Sequence, residues 1–302
     1  MLDDDAVQEK KSILRSEKEV ILKAEFNEIS AALDDKQKKL FECACEKGAS
    51  SWLSALPLQK YGYVLNKQEM RDAICLRYGW HISETPTYCG CGDRNSFDHI
   101  FVCKKGGYVN MRHNALRDVE ARLMQKVCSD VKVEPMLIPT DAERASSTTA
   151  DRARLDVSGR GIWSQYERTF VDIMVTHPTA QSHAGKKMSQ LYRECEQYKK
   201  RKYLDRILNT ERGTLTPLVF STTGGMAPEC ERFNKRLAEL ISTKSGEAYS
   251  HVMRHVRTRL RFALLRATLI AIRGSRGWRR SEVELDVDEI SFNLVPVPRG
   301  DN

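Results

Sequence analysis

The sequence predicts an α/β fold: a mixed sheet flanked by helices, preceded by an α-helical N-terminal region and a short loop stapled by metal. Three observations predict it. Helical periodicity dominates the N-terminal region, four Cys and His residues cluster between positions 89 and 103, and strand-like and helix-like stretches alternate from 110 to 273. The chain has 302 residues, 41% of them hydrophobic, which is enough to bury a substantial core. A formal net charge of +8 favours a polyanionic partner such as nucleic acid, because Lys and Arg gain by replacing phosphate counterions. Charge alone does not decide this, since a soluble basic protein can carry the same excess. The nine cysteines are odd in number and spread along the chain, and the start shows no signal-peptide pattern. A reducing compartment is expected, where clustered Cys and His serve as metal ligands rather than disulfide partners. No run approaches the roughly 18 apolar residues of a membrane span.

Residues 1–47 are rich in Lys, Glu and Asp, with Ile13, Leu14, Val20, Ile21, Leu22, Phe26, Ile29 and Leu33 at roughly helical spacing, the pattern of surface helices. Asn66 can N-cap a helix through about Tyr78, with Glu69 as its capping-box partner. Gly106-Gly107 breaks the chain, and residues 110–128 carry an amphipathic pattern through Leu116, Val119, Leu123 and Val127. Residues 131–138 alternate like a short strand, and the polar stretch 140–150 reads as a loop. Residues 154–157 and 170–175 read as strands parted by a turn at Ser158-Gly-Arg-Gly161. A helix over 186–208, a strand over 215–221 closed by Gly224-Gly225, and a helix over 228–242 follow. In the last helix Arg254, Arg257, Arg259, Arg261, Arg266 and Arg273 interleave with Val256, Leu260, Leu264, Leu265, Leu269 and Ile272. Those arginines are either the solvated face of a terminal helix or a stripe that contacts phosphates. After Trp278 the tail is acidic, then Pro-rich, and carries no assignment. The chain thus divides into a helical lead-in (1–84), a metal loop (85–108), a sheet-bearing domain with its basic helix (109–280) and a tail (281–302).

Cys89-x-Cys91, seven residues, His99, three residues, Cys103 places four ligands within fifteen positions. Four such ligands satisfy a tetrahedral zinc ion with no open position, so a structural rather than catalytic site is expected. Asp98, Asn95 or Ser96 can support the ligands from behind, and Gly90 and Gly92 relieve the backbone around Cys91. Cys43 and Cys45 lack a matching pair, and Cys75, Cys128, Cys195 and Cys230 fit small buried hydrophobes.

Two acids suit a hard divalent cation. Asp156 sits in Arg154-Leu-Asp-Val157, and Asp172 lies within Phe170-Val-Asp-Ile-Met-Val175, where burial is costly unless a cation or partner satisfies it. The ordinary alternative is a solvated strand face, since alternation puts Asp172 and Met174 on one side and Val171, Ile173 and Val175 on the other. Tyr198-Lys-Lys-Arg-Lys-Tyr203 offers Lys199, Lys200 and Lys202, which cannot all face one site at helical spacing.

Taken together, the Cys89/Cys91/His99/Cys103 spacing, Arg112-His113-Asn114, Arg154-Leu-Asp156, Asp172 and the lysine-rich segment ending at Tyr203 resemble a family. It is the C-terminal zinc knuckle and restriction-enzyme-like endonuclease of non-long-terminal-repeat retrotransposons, a PD-(D/E)xK nuclease fold. The resemblance covers about residues 85–240. It implies a Mg²⁺-dependent DNA endonuclease with a restriction-endonuclease-like sheet, acting in the nucleus and nicking target DNA to prime a reverse transcriptase on its RNA. Asp156 and Asp172 would hold Mg²⁺, with Glu120 as an auxiliary ligand, and Lys200 first, Lys199 second or Lys202 third as the catalytic lysine. Arg112, His113 and Asn114 would lie near DNA, which Lys202, Arg254, Arg257 and Arg261 would also contact. Two departures stand out: Leu155 replaces the proline before the first acid, and Met174 takes the usual lysine position, so the lysine must come from the following helix. No polymerase segment is recognisable, and a zinc-containing DNA-binding protein that keeps the fold without catalysis is the alternative.

Overall fold

Apolar alternation on one central strand organises the fold. The computed structural model describes residues 4–139 and 153–274. Its principal elements in chain order are α1 (Asp4–Ala31), α2 (Asp35–Cys45), α3 (Lys67–Tyr78), α4 (Phe97–Val102), α5 (Tyr108–Gln125), β1 (Ser129–Val133), β2 (Val157–Arg160), β3 (Arg168–Thr176), α6 (Met188–Arg206), β4 (Thr214–Ser221), α7 (Pro228–Ser245) and α8 (Tyr249–Arg273). The strands form a mixed sheet in the order β1-β2-β3-β4, with β1–β2 and β2–β3 antiparallel and β3–β4 parallel. The parallel pair is joined through α6, the helical crossover that parallel neighbours require.

On β3, Val171, Ile173 and Val175 join Leu218 and Phe220 of β4 in the main core with α5, α7 and α8. The alternate residues face the other way: Phe170 packs with Tyr203 and Ile207, and Met174 with Leu191 and Cys195. Asp172 shares that second face, which α6 covers. The face is therefore not solvated, and Asp172 is 5% exposed.

Local chemistry sets the helix ends. Asn66 accepts from the Glu69 N–H at 2.9 Å while Glu69 accepts from the Asn66 N–H at 2.8 Å, the capping box read from the sequence. Asp34 and Gln37 close α2 in the same reciprocal way. The N-terminal pair α1 and α2 lies on the surface, with Leu14, Val20 and Ile21 exposed.

Two expectations are corrected. Ser158-Gly159-Arg160 is not a turn: β2 runs through it, pairing Gly159 with Thr169, and the chain turns only after Arg160. The glycine is there for packing, since a Cβ at 159 would stand 3.1–3.2 Å from Met124, Cys128 and Val131. The last helix is also not a surface element. α8 packs on α5, α7, α4 and α3, with Arg259 and Arg261 themselves buried. Arg266 donates to the carbonyls of Gly62 and Val64, and Arg273 grips Asp72 at 2.7 and 2.8 Å. These arginines satisfy interior acceptors that connect the lead-in region to the sheet domain, because a guanidinium offers several donors to carbonyls left unpaired at chain breaks. The polar stretch 140–150 and the tail beyond Trp278 lie outside the described residues.

Leu218 is fully buried at the centre of the main core. Leu218→Ala should lower unfolding free energy by about 2–5 kcal/mol, measured by urea denaturation; a loss below about 1 kcal/mol would contradict this core assignment.

Candidate functional site

Cys89, Cys91, His99 and Cys103 converge in the loop between α3 and α5. Their ligand atoms all lie within 4.8 Å of one another. Cys103 Sγ is 3.8 Å from the sulfurs of both Cys89 and Cys91, and Cys91 Sγ is 3.2 Å from His99 Nε2. Zn–S bonds of about 2.3 Å at tetrahedral angles place sulfurs about 3.8 Å apart. The group can thus hold a metal ion such as zinc. A tight turn makes it: Gly92 has φ +100°, its N–H reaches the Cys89 carbonyl at 2.9 Å, and Cys89 N–H reaches Asp93 O at 2.8 Å. Ser96 then caps α4 by accepting from the His99 N–H, which aims the imidazole back at the turn.

The residue behind the histidine is Asp93, whose carboxylate is 3.5 Å from His99 Nδ1. Asp98 and Asn95 are engaged elsewhere, and Ser96 bonds the His99 backbone rather than its ring. Asp98 accepts from Thr179 at 2.7 Å and Lys36 at 2.7 Å and pairs with His177 Nε2 at 2.9 Å. That partnership with His177 holds the Asp98 carboxyl well below the usual carboxylate range, and it ties the metal loop to the end of β3. Asn95 donates to the Pro86 carbonyl. Arg112, from α5, is 3% exposed and donates to the Phe101 carbonyl at 2.9 Å with its guanidinium over the Phe101 ring. It joins α4 to α5 and does not present its charge to solvent.

The acids meet where the chain enters β2, beside the middle of β3. Asp156 immediately precedes β2, its N–H donating to the Val171 carbonyl at 3.1 Å and its Oδ2 accepting from the Ile173 N–H at 2.5 Å. The carboxyls of Asp156 and Asp172 lie close enough for each to act on the other's ionisation. Lys199 Nζ lies 2.9 Å from Asp172 Oδ2 but off-line for a hydrogen bond, so Oδ2 has no aligned partner. His113 Nε2 is 3.2 Å from Asp156 Oδ2. Burial pushes the Asp172 carboxyl up to about 6, Lys199 pulling down against it and Asp156 adding to the rise. Burial also opposes ionisation of Asp156, but His113 and the Ile173 N–H hold it below its ordinary value. The imidazole of His113 is raised in turn, Asp156 outweighing burial.

Lys200 points elsewhere, paired with Glu229 of α7. Lys202 lies over the Tyr203 ring at 4.8 Å. Glu120 is fully buried two turns beyond His113, its Oε1 accepting from Asn234 at 3.1 Å and its Oε2 without a partner. Burial raises its carboxyl to about 7. Asn114 and Arg254 are exposed, Arg257 pairs with Glu231 at 3.1 Å, and Arg261 is buried. Asp93 and Glu229 escaped the sequence reading; only the short Cys91-to-Asp93 spacing hinted at the first. Among the described residues no helix is long and apolar enough to cross a membrane. No protein-family model matches the chain, and no curated protein matches it significantly.

Protein purified without chelators should carry about one equivalent of metal such as zinc, and Cys103→Ser should lose it, read by elemental analysis. Glu120 binds its proton more tightly in the folded chain, so stability falls as pH rises from its ordinary 4.5 through about 7. Glu120→Gln should therefore raise the thermal midpoint above pH 7 and give no gain below pH 4.5. A gain of equal size at both ends would show that charge is not its cause.

Proposed function

We propose that the chain is a metal-dependent DNA endonuclease of the mobile-element type. The observation that carries this reading is the meeting of Asp156, Asp172, Lys199 and His113 beside the middle of β3. Two neighbouring carboxyls with an unaligned buried oxygen suit a divalent cation, and hard Mg²⁺ prefers carboxylate oxygens. Asp156 and Asp172 would hold it, and when bound it would offset charge on the scissile phosphate and activate water. Lys199, its ammonium held at the same spot, would attract the phosphate and steady the attacking water. His113 and the Ile173 N–H keep Asp156 ionised and oriented through Oδ2, so Oδ1 would be the oxygen that serves the cation.

The Cys3His group would carry a structural zinc, because four protein ligands leave no open position for chemistry. The net charge of +8 supports a polyanionic partner, and Asn114, Lys202 and Arg254 are the exposed residues of the expected DNA-contacting set. In this reading the nick supplies the 3′ end for a reverse transcriptase and its RNA in the nucleus.

Supercoiled plasmid incubated with the protein and Mg²⁺ should be nicked. Asp172→Asn and Lys199→Ala should each slow nicking about a hundredfold or more, while Lys200→Ala should not. Absence of nicking by the parent chain, or equal rates in Asp172→Asn, would overturn the proposal. DNA binding without nicking would point to the non-catalytic zinc protein instead.

A further inference from the structure

Away from the carboxylates, a cavity of about 240 Å³ opens between α2, α3, α4, the turn after β4 and α8. Trp52, Phe97 and Phe101 give it aromatic walls, while Arg77, Arg261 and Thr268 bring polar groups to it. Arg261 is 9% exposed and packed so closely against Gly224 that no side chain fits there. Its Nε has no hydrogen-bond partner. Arg77 gives one N–H to Ser50 and likewise leaves its Nε unpartnered, as does the Thr268 hydroxyl, which is 2% exposed.

The acids nearby do not balance these cations. Asp34 caps α2, and Asp98 is spent on His177, Thr179 and Lys36. Glu46 lies close enough to act on Arg261, but burial raises its own carboxyl to about 7, so much of its charge is lost near neutrality. The two guanidiniums meanwhile oppose each other, and that repulsion adds to burial in lowering Arg261. Unpartnered buried guanidinium donors cost several kcal/mol unless something fills the space beside them.

We propose that this cavity binds a terminal phosphate group borne on a small apolar or aromatic body. Two guanidiniums and the Thr268 hydroxyl offer more donors than the two oxygens of a carboxylate accept, whereas a phosphomonoester presents three oxygens and about two charges. Thr222 and Thr223, from the turn after β4, line the same wall with their hydroxyls bonded to His177 and Ser221. A volume of about 240 Å³ lies just below the range of drug-sized pockets and admits a single ring with its phosphate. The aromatic walls take the ring. A free small phosphomonoester and the phosphorylated end of a nucleic acid both present this group.

The test is calorimetric titration of the full chain with inorganic phosphate, phenyl phosphate and a 5′-phosphorylated oligonucleotide, beside thermal midpoints with each. Phenyl phosphate should bind with one site per chain, more tightly than inorganic phosphate, and a nucleic-acid end is the source only if the 5′-phosphorylated oligonucleotide binds more tightly than the same strand without its phosphate and Arg77→Gln abolishes that difference. Arg77→Gln and Arg261→Gln should each weaken phenyl phosphate binding about tenfold or more. Arg77 is only half-buried, so its variant serves if Arg261→Gln fails to fold. No binding of phenyl phosphate, undiminished binding in Arg77→Gln, or inorganic phosphate binding as tightly as phenyl phosphate would overturn the proposal.

Discussion

Two neighbouring carboxyl groups held away from water are the constraint on which this protein turns. Like charges in such a place cannot both ionise unless cations stand against them, and the chain supplies Lys199 on one side and His113 on the other. Each cation comes from a different helix, α6 and α5, and these helices cover opposite faces of the sheet. The acids therefore fix how both layers sit on β3. Their unequal surroundings also divide the roles: Asp156 is kept ionised by aligned donors, while Asp172, with an oblique ammonium beside it, carries the higher affinity for a proton.

The same accounting explains α8. An arginine-rich helix reads as a surface element until its donors are followed: Arg266 and Arg273 end on backbone carbonyls and on Asp72 of the N-terminal region. Each guanidinium meets several acceptors at once through a rigid planar fork, where a lysine would offer them all from a single nitrogen. The helix is thereby the shared spine of the lead-in helices, the metal loop and the sheet. The metal loop is fastened independently, by Arg112 from α5 and by Asp98 to His177 at the end of β3. Its four ligands need no help from the rest of the fold to meet, but these two contacts fix where they meet.

Much of the local architecture was legible in the residues. The Asn66/Glu69 cap, the helix over Lys67–Tyr78, the alternation on β3 and the close-set Cys3His group depend on interactions within a few positions of one another, and all are found. The lysine facing Asp172 was put second, behind Lys200, although periodicity favoured it. Tyr192, Cys195, Lys199 and Tyr203 recur at three- and four-residue spacing on α6, so the buried stripe that carries Cys195 and Tyr203 also carries Lys199. Lys200 lies on the neighbouring face with Glu196, toward α7 and Glu229.

The sequence by itself determined which elements form, how they are capped and which side chains share a face, because those are set by backbone period and short-range hydrogen bonds. Only the tertiary structure decided what each face meets. Alternation put Asp172 opposite Val171 and Ile173 but could not show that α6 closes over it. The arginine spacing of α8 described a stripe but not the carbonyls that receive it, and nothing local signalled that Arg77 and Arg261, from helices far apart in the chain, would face one cavity. Burial and charge pairing are properties of distant segments brought together, and no window of sequence contains both partners.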